Sequence, residues 1–419
     1  MGNELNKPFL DKNSYDLVTN YLKFGFSSVQ GWEYKMEDSN FYSIDLMKDS
    51  ELKIDIFAIF DGHNGDEISK YISKNFKKEL LSNPSFKSGD YIKSLKETFI
   101  RIDKSLQTEK VENELQKISL ENQENINMNN LNFRYLEKLS EKEKEQINCI
   151  KDIINPKNLS NHTISSFSGC SGIVILITNT KIYVAKAGNC FFIPIDENLE
   201  IKREKMPHLH IFDTEEEKNR IINSNSFKDN DNYPELIIST RGFGDFKYKE
   251  NKFLKNEDQS ISPEPEIIEI NYDDLKYLII SSHGLFDLNY NLFKDNTQEV
   301  TDFFMEQIKN NKNKKFSKII EEWYDLKIPK DKIDNNKKYL NNISCFVIEL
   351  YRRPNIEVNN KMEKIKLEDS EKTKMEIFKK KDEGNRSMKD LLSFFKNSKN
   401  EKREKRMESS SSSKNIFKK

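Results

Sequence analysis

The 419-residue chain is 35% hydrophobic and 11% aromatic, enough to bury one large core or two modest ones. Its 69 basic and 70 acidic side chains nearly cancel, so no net basic field marks it for nucleic acid, and no apolar run approaches the roughly 20 residues that span a bilayer. Cys149, Cys170, Cys190 and Cys345 form no C-x-x-C unit; with the lack of a signal-peptide pattern, this predicts a cytoplasmic protein whose cysteines are small buried hydrophobes.

At the start, Met1-Gly2-Asn3-Glu4-Leu5-Asn6-Lys7 exposes Gly2 once the initiator is removed, with Asn6 where an N-myristoylation signal prefers Ser or Thr. Acylation and a plain disordered terminus both stay open, and residues 1–22 are set apart as an N-terminal segment. Phe24 to Gln30 reads as a strand feeding the turn Gly31-Trp32-Glu33-Tyr34-Lys35-Met36-Glu37-Asp38, and Asn40 to Ile44 continues beyond it. Ile54 to Phe60, short and rich in branched and aromatic residues, reads as a buried strand. Asp61-Gly62-His63 follows where that strand leaves the core, and Gly65 lets the backbone turn into a helix from Asp66 to Leu80. Acids before one strand and after the next can gather carboxylate oxygens around one point, the ligand set of a hard divalent cation; a plain strand-turn-helix junction is the alternative.

Ile68, Tyr71, Ile72 and Phe76, then Ile92, Leu95, Phe99 and Ile102, recur at helical spacing, so both segments are expected to cover a sheet. Residues 107–159 lose the apolar stripe and read as a solvated low-complexity insertion, with a helix at Phe133 to Ile153 and no chemistry. Ile173 to Thr178 and Lys181 to Gly188 flank Asn179-Thr180 as a hairpin, with a third strand at Phe191 to Ile195. Asp213 or Thr214 caps a helix to Ser224. His208 and His210 alternate as on a strand and read as surface histidines, a metal pair being the alternative. Strands are expected at Ile267 to Ile270, Lys276 to Ser282 and Cys345 to Leu350, and helices at Gln298 to Lys309 and Ser317 to Leu326. Residues 353–419 form a charged, disordered tail in which Met388, Leu391, Leu392 and Phe395 share one helical face.

The ordered series Met36-Glu37-Asp38, Phe60-Asp61-Gly62-His63-Asn64-Gly65, Ser239-Thr240-Arg241-Gly242-Phe243-Gly244-Asp245 and Ile261-Ser262-Pro263-Glu264-Pro265-Glu266 resembles the metal-dependent protein phosphatases, the type 2C serine/threonine phosphatases. The resemblance covers residues 23–352 apart from the insertion. It implies an α+β fold, two antiparallel β-sheets packed as a sandwich flanked by α-helices. It also implies two Mn2+ or Mg2+ ions, a phosphoserine or phosphothreonine protein as substrate, and a histidine as general acid.

Carried onto this chain, the resemblance makes Glu37, Asp61 and the Gly62 carbonyl the ligands of one ion and His63 the catalytic acid. The second ion shares Asp61, but its two private aspartates are replaced by His283 and Asn341, and the phosphate-binding arginine by Glu33. Gly188-Asn189-Cys190-Phe191 departs from the family's Gly-Asp-Ser-Arg, and an acid is missing near His210. The expectation is therefore one retained cation site, a weakened second site, and a weak or inactive phosphatase. The alternative is a pseudophosphatase acting as a phosphoprotein-binding or scaffold module, and Gly2 acylation with the basic tail would add a membrane surface as partner.

Overall fold

The computed structural model describes residues 4–47, 52–128, 163–212, 214–224, 239–286, 293–331 and 341–351. Alternation along the strands decides the architecture. Phe24 and Phe26 of β2 (Leu22–Glu33), Phe57 and Ile59 of β4 (Asp55–His63), Ile173 and Ile175 of β5 (Gly169–Ile177), and Phe346 and Ile348 of β11 (Ile343–Leu350) point the same way and pack between two sheets.

One sheet has the order β1-β2-β11-β10-β7, with β1 at Glu4–Val18, β10 at Tyr277–Ser281 and β7 at Phe191–Ile195. The other runs β3-β4-β5-β6-β9, with β3 at Ser39–Ser43, β6 at Lys181–Ala187 and β9 at Glu266–Asn271; β8 (Phe243–Gly244) pairs with β5. All of these ladders are antiparallel.

Helices cover both outer faces. Ile68, Ile72 and Phe76 of α1 (Glu67–Ser82) and Leu95, Phe99 and Ile102 of α2 (Tyr91–Ser105) pack with Ile56, Ala58 and Phe60 of β4. On the opposite face, Phe304 of α5 (Phe293–Asn310) and Ile320, Trp323 and Tyr324 of α6 (Phe316–Lys327) pack on Val29, Ile279 and Val347. The expected sandwich of two antiparallel sheets flanked by helices is the observed fold.

Two boundaries differ from expectation. Residues 4–18, set apart as an N-terminal segment, form β1, which pairs with β2; Asp16 then caps α6 by accepting from Ser317 N at 2.9 Å. The polar composition of this stretch hid a strand that β2 pairs with and whose Leu10, Tyr15 and Leu17 pack against the core. Residues 109–128, assigned to the solvated insertion, form α3. Val111 and Leu115 suffice to seat it on the α1 side, being 5% and 0% exposed, with Ile118 packed alongside. The helix expected at Phe133 to Ile153 and the tail beyond residue 352 lie outside the described residues. Thr214 stands at the N-cap position of α4 (Glu215–Asn223) but makes no side-chain cap bond, its Oγ1 donating instead to Ile211 O at 3.1 Å; Asp213, the other candidate, lies outside the described residues. Cys170, Cys190 and Cys345 are free and buried. Among the described residues no helix is long and apolar enough to cross a membrane.

Candidate active site

Asp61 is the next inward position of β4 after Phe57 and Ile59, so the alternation that fills the core delivers its carboxylate to one end of the sandwich. A layer of buried serines separates it from the apolar interior: Ser28 and Ser344 are register partners, and Ser344 N donates to Ser282 Oγ at 2.9 Å. Asp61 itself is 5% exposed. Its Oδ2 accepts from His283 N at 2.8 Å and from His283 Nδ1 at 2.5 Å. Burial alone would raise the Asp61 carboxyl, but the His283 imidazole and its two donors bring it below the usual range. His283 responds in kind: burial opposes its charge, Asp61 outweighs burial, and the imidazole rises to about 9.

Glu37 stands on the other side. Asn342 fixes the turn that carries it, its Oδ1 accepting from Glu37 N at 2.7 Å while Nδ2 donates to Gln30 O at 2.7 Å and Lys35 O at 2.9 Å. Glu37 Oε1 accepts from Gly65 N at 2.7 Å, at the left-handed turn Asn64-Gly65 where φ is 57° and then 125°. Gly62 lies directly against this turn, since a Cβ there would collide with the Glu37 carbonyl oxygen. Burial, reinforced by the nearby Glu33 carboxylate, pushes the Glu37 carboxyl up to about 7. Glu33 also contributes, as the smallest cause, to raising His283, so an acid lies near the site where the resemblance implies an arginine.

His63 Nε2 lies 2.6 Å from Asp245 Oδ2. Asp245 takes a left-handed conformation, φ 53°, after Gly244 at φ 73°, and Asp245 N donates to Ser168 O at 3.0 Å. Burial works against a charged His63, but Asp245 and then Asp61 and Glu37 outweigh it and hold the imidazole above its ordinary value. The ring keeps 44% of its side-chain surface exposed, so it can hand a proton outward.

Glu37, Asp61, Gly62, His63 and His283 are thus assembled at one end of the sandwich, and Asn341 sits half-buried beside Asn342 at the entry to β11. Three further residues belong to this group, of which the sequence singles out only Asp38, as one of the acids before the strand. Asp38 is 7% exposed beside Ser344 and Ser282, and burial followed by Asp61 drives its pKa well above the carboxylate range despite them. Asp245 and Asn342 lie inside quoted motifs, yet their roles depend on contacts with residues far away in the chain.

The cations of the neighbouring motifs are committed elsewhere. Arg241 pairs with Glu217 at 2.5 Å, and Lys35 lies 3.1 Å from Asp66 and 3.7 Å from Glu67. His208 and His210 do not form a surface pair. His210 is 2% exposed, accepts from Gly188 N through Nδ1 at 3.0 Å and lies 3.3 Å from Glu266 Oε2, while His208 Nδ1 is 2.7 Å from Glu266 Oε1. His208 thus stays on the surface, 85% of its side chain exposed, as expected from the sequence, while His210 is buried against Gly188 and the β9 carboxylate, which period-two alternation alone does not reveal.

The donor set tests the fit of divalent cations. Glu37, Asp61 and the Gly62 carbonyl offer oxygen donors only, two of them acidic, and these residues fit one hard cation. At the second position Asp61 Oδ2 is already taken by two donors, Asp38 resists ionisation, and His283 and Asn341 bring no negative charge; these do not fit. Among the described residues no group of three or more His, Cys, Asp or Glu is disposed to hold a metal ion.

A family model described as Protein phosphatase 2C matches residues 22–120 and 111–335. A probable protein phosphatase 2C 21 from Arabidopsis thaliana is 29% identical over 329 residues, 74% of this chain and 82% of that protein. Protein phosphatase 2C 1 from Paramecium tetraurelia is 27% identical over 289 residues, 68% and 80% of the two chains. A crystal structure of a phosphatase from Toxoplasma gondii shares the fold at a TM-score of 0.52 and 15% identity, covering 82% of this chain and 96% of that one. The family model spans most of the described domain, and the chain belongs to the protein phosphatase 2C family of serine/threonine phosphatases.

Proposed function

We propose that this chain is an impaired member of its metal-dependent family, with weak or no hydrolysis of phosphoserine and phosphothreonine proteins. The observation that supports it most is Glu33, a carboxylate close enough to Glu37 and His283 to shift both, at the place of the phosphate-binding arginine. A unit charge at about 4 Å is worth roughly 4 kcal/mol at an effective dielectric of about 20, so attraction of a phosphate dianion becomes repulsion of comparable size.

On this reading Glu37, Asp61 and Gly62 hold one Mn2+ or Mg2+, which when bound supplies Lewis-acid charge for phosphoester hydrolysis. His63, oriented by Asp245, donates a proton to the leaving alkoxide. The second reading is a pseudophosphatase that binds phosphoproteins or scaffolds them, and it is favoured by a site that keeps its frame while Asp61 is tied to His283. Manganese-dependent hydrolysis of a phosphothreonine peptide by the full chain, with Asp61→Ala as control, separates the two: turnover above that control supports an enzyme, and none supports the binding module.

We also propose a cytoplasmic protein recruited to a membrane surface by Gly2 acylation and by residues 401–419, which carry seven basic and three acidic side chains. An unchanged cellular distribution of Gly2→Ala would remove this part.

A further inference from the structure

His283 does more than replace an acid. The backbone N of β10's exit, at 2.8 Å, and the ring Nδ1, at 2.5 Å, converge on the same Asp61 oxygen, and a single carboxylate oxygen with two donors at these distances has no lone pair left facing a cation. The group is buttressed from behind. Ser282, the residue before His283, is 0% exposed and locked to Ser344 in both directions, Ser282 N donating to Ser344 O at 3.0 Å and Ser344 N to Ser282 Oγ at 2.9 Å. The imidazole is therefore carried on the same rigid rung that a ligand would occupy. Asp38, 7% exposed, lies among the Ser282 and Ser344 side chains, Asp61 and His283, a buried carboxylate on the same polar layer.

We infer that the second cation position is closed by the chain's own His283, which occupies Asp61 as a fixed internal substitute for the ion, and that Asp38 is the residual ligand left behind it. The inference rests on reading the chain as an impaired family member. It goes further in naming what fills the position and in requiring that opening it restore ion binding even when Glu37 can no longer serve as a ligand.

Mn2+ titration of the full chain by calorimetry, with thermal melting in the presence and absence of Mn2+, tests this. Glu37→Gln removes the ligand private to the first position, so with His283 in place this variant is expected to bind no Mn2+ and to melt at one temperature with or without it. Glu37→Gln with His283→Asp is expected to bind one Mn2+ and to gain about 5 °C or more in Tm at about 100 times the Kd. If the aspartate variant does not fold without metal, His283→Ala in the same background, which keeps the backbone donor and empties the ring position, is expected to bind Mn2+ more weakly but measurably. Mn2+ binding by Glu37→Gln alone would overturn the inference, because the position would be open with His283 in place. A folded double variant of either kind that takes up no Mn2+ would also overturn it. Efficient peptide hydrolysis by an unmodified chain with a single bound Mn2+ would remove the impaired reading and leave this one standing.

Discussion

Lys249 and Asp103 meet out of contact with water, their side chains 1% and 0% exposed and the ammonium 2.8 Å from Asp103 Oδ1. The same oxygen accepts from Gly244 N at 2.9 Å, and Lys249 also donates to Gly242 O at 3.1 Å. This pair ties α2 to the turn from which Asp245 reaches His63. Removing one partner strands the other charge in the interior, so Lys249→Met is expected to destabilise the fold by about 3–5 kcal/mol in chemical denaturation. Lys249→Met combined with Asp103→Leu is expected to recover most of that loss, since no charge remains buried. A double variant as unstable as the single one would show that the shape of the turn, not the charge, is what the pair maintains.

Asn342 is expected to matter more than Asn341 for stability. Its side chain satisfies the Glu37 amide and two carbonyls of the preceding turn, none of which Ala can reach. Asn342→Ala is expected to cost about 1–3 kcal/mol in denaturant melts and to weaken Mn2+ binding through displacement of Glu37. Asn341→Ala is expected to fall within about 0.5 kcal/mol of the unmodified chain.

The layered sandwich was legible because each core strand carries its own alternation: Phe57 and Ile59 inward, Ile56 and Ala58 outward, with Asp61 marking where the strand meets solvent. The acids and the histidine of the site were legible because they cluster within short motifs. Residues that act through distant partners were not. Nothing local tells that Asp103, in a helix, holds a turn 141 residues away by its backbone, or that Asp16 caps a helix 301 residues on. Likewise His283 reads from the sequence as a substitute ligand, whereas its backbone N–H and ring nitrogen converge on Asp61 only because Ser282 is pinned to Ser344.

Acid should draw on His210 before ordinary carboxylates protonate. Burial depresses His210 from 6.5 to about 4, so the folded state resists a proton that the unfolded state accepts. Stability from this group is present above pH 6.5 and lost as pH falls through 6.5 toward 4, on the order of 3 kcal/mol. Glu217, whose burial is outweighed by Arg241 and Arg220, is held at about 2 against 4.5, so a second loss follows as pH falls from 4.5 toward 2. Because Glu37, held up to about 7, gains stability over the same range, the test is differential: the urea midpoint of the unmodified chain relative to His210→Gln is expected to fall as pH drops from 7 to 4. A difference between the two proteins that does not change with pH would mean that His210 takes up its proton equally in the folded and unfolded states.

Catalysis can be asked back of the scaffold. Glu33→Arg restores a cation where phosphate must bind, His283→Asp releases Asp61 Oδ2 and supplies an anionic ligand on the rung locked by Ser282, and Asn341→Asp supplies another beside Asn342. The triple variant is expected to raise manganese-dependent hydrolysis of a phosphothreonine peptide at least about tenfold, equivalent to roughly 1.4 kcal/mol of transition-state stabilisation. Single changes should fall short of additive shares. An arginine without the second ion binds phosphate that is not activated, and a second ion without the arginine faces a substrate that Glu33 repels. His63→Asn in the triple background should then abolish most of the gain, because the proton for the leaving alkoxide comes from the ring that Asp245 orients. A folded triple variant with no gain would place the defect elsewhere, at Asn189 or at Leu209, the residue preceding His210, where no acid stands.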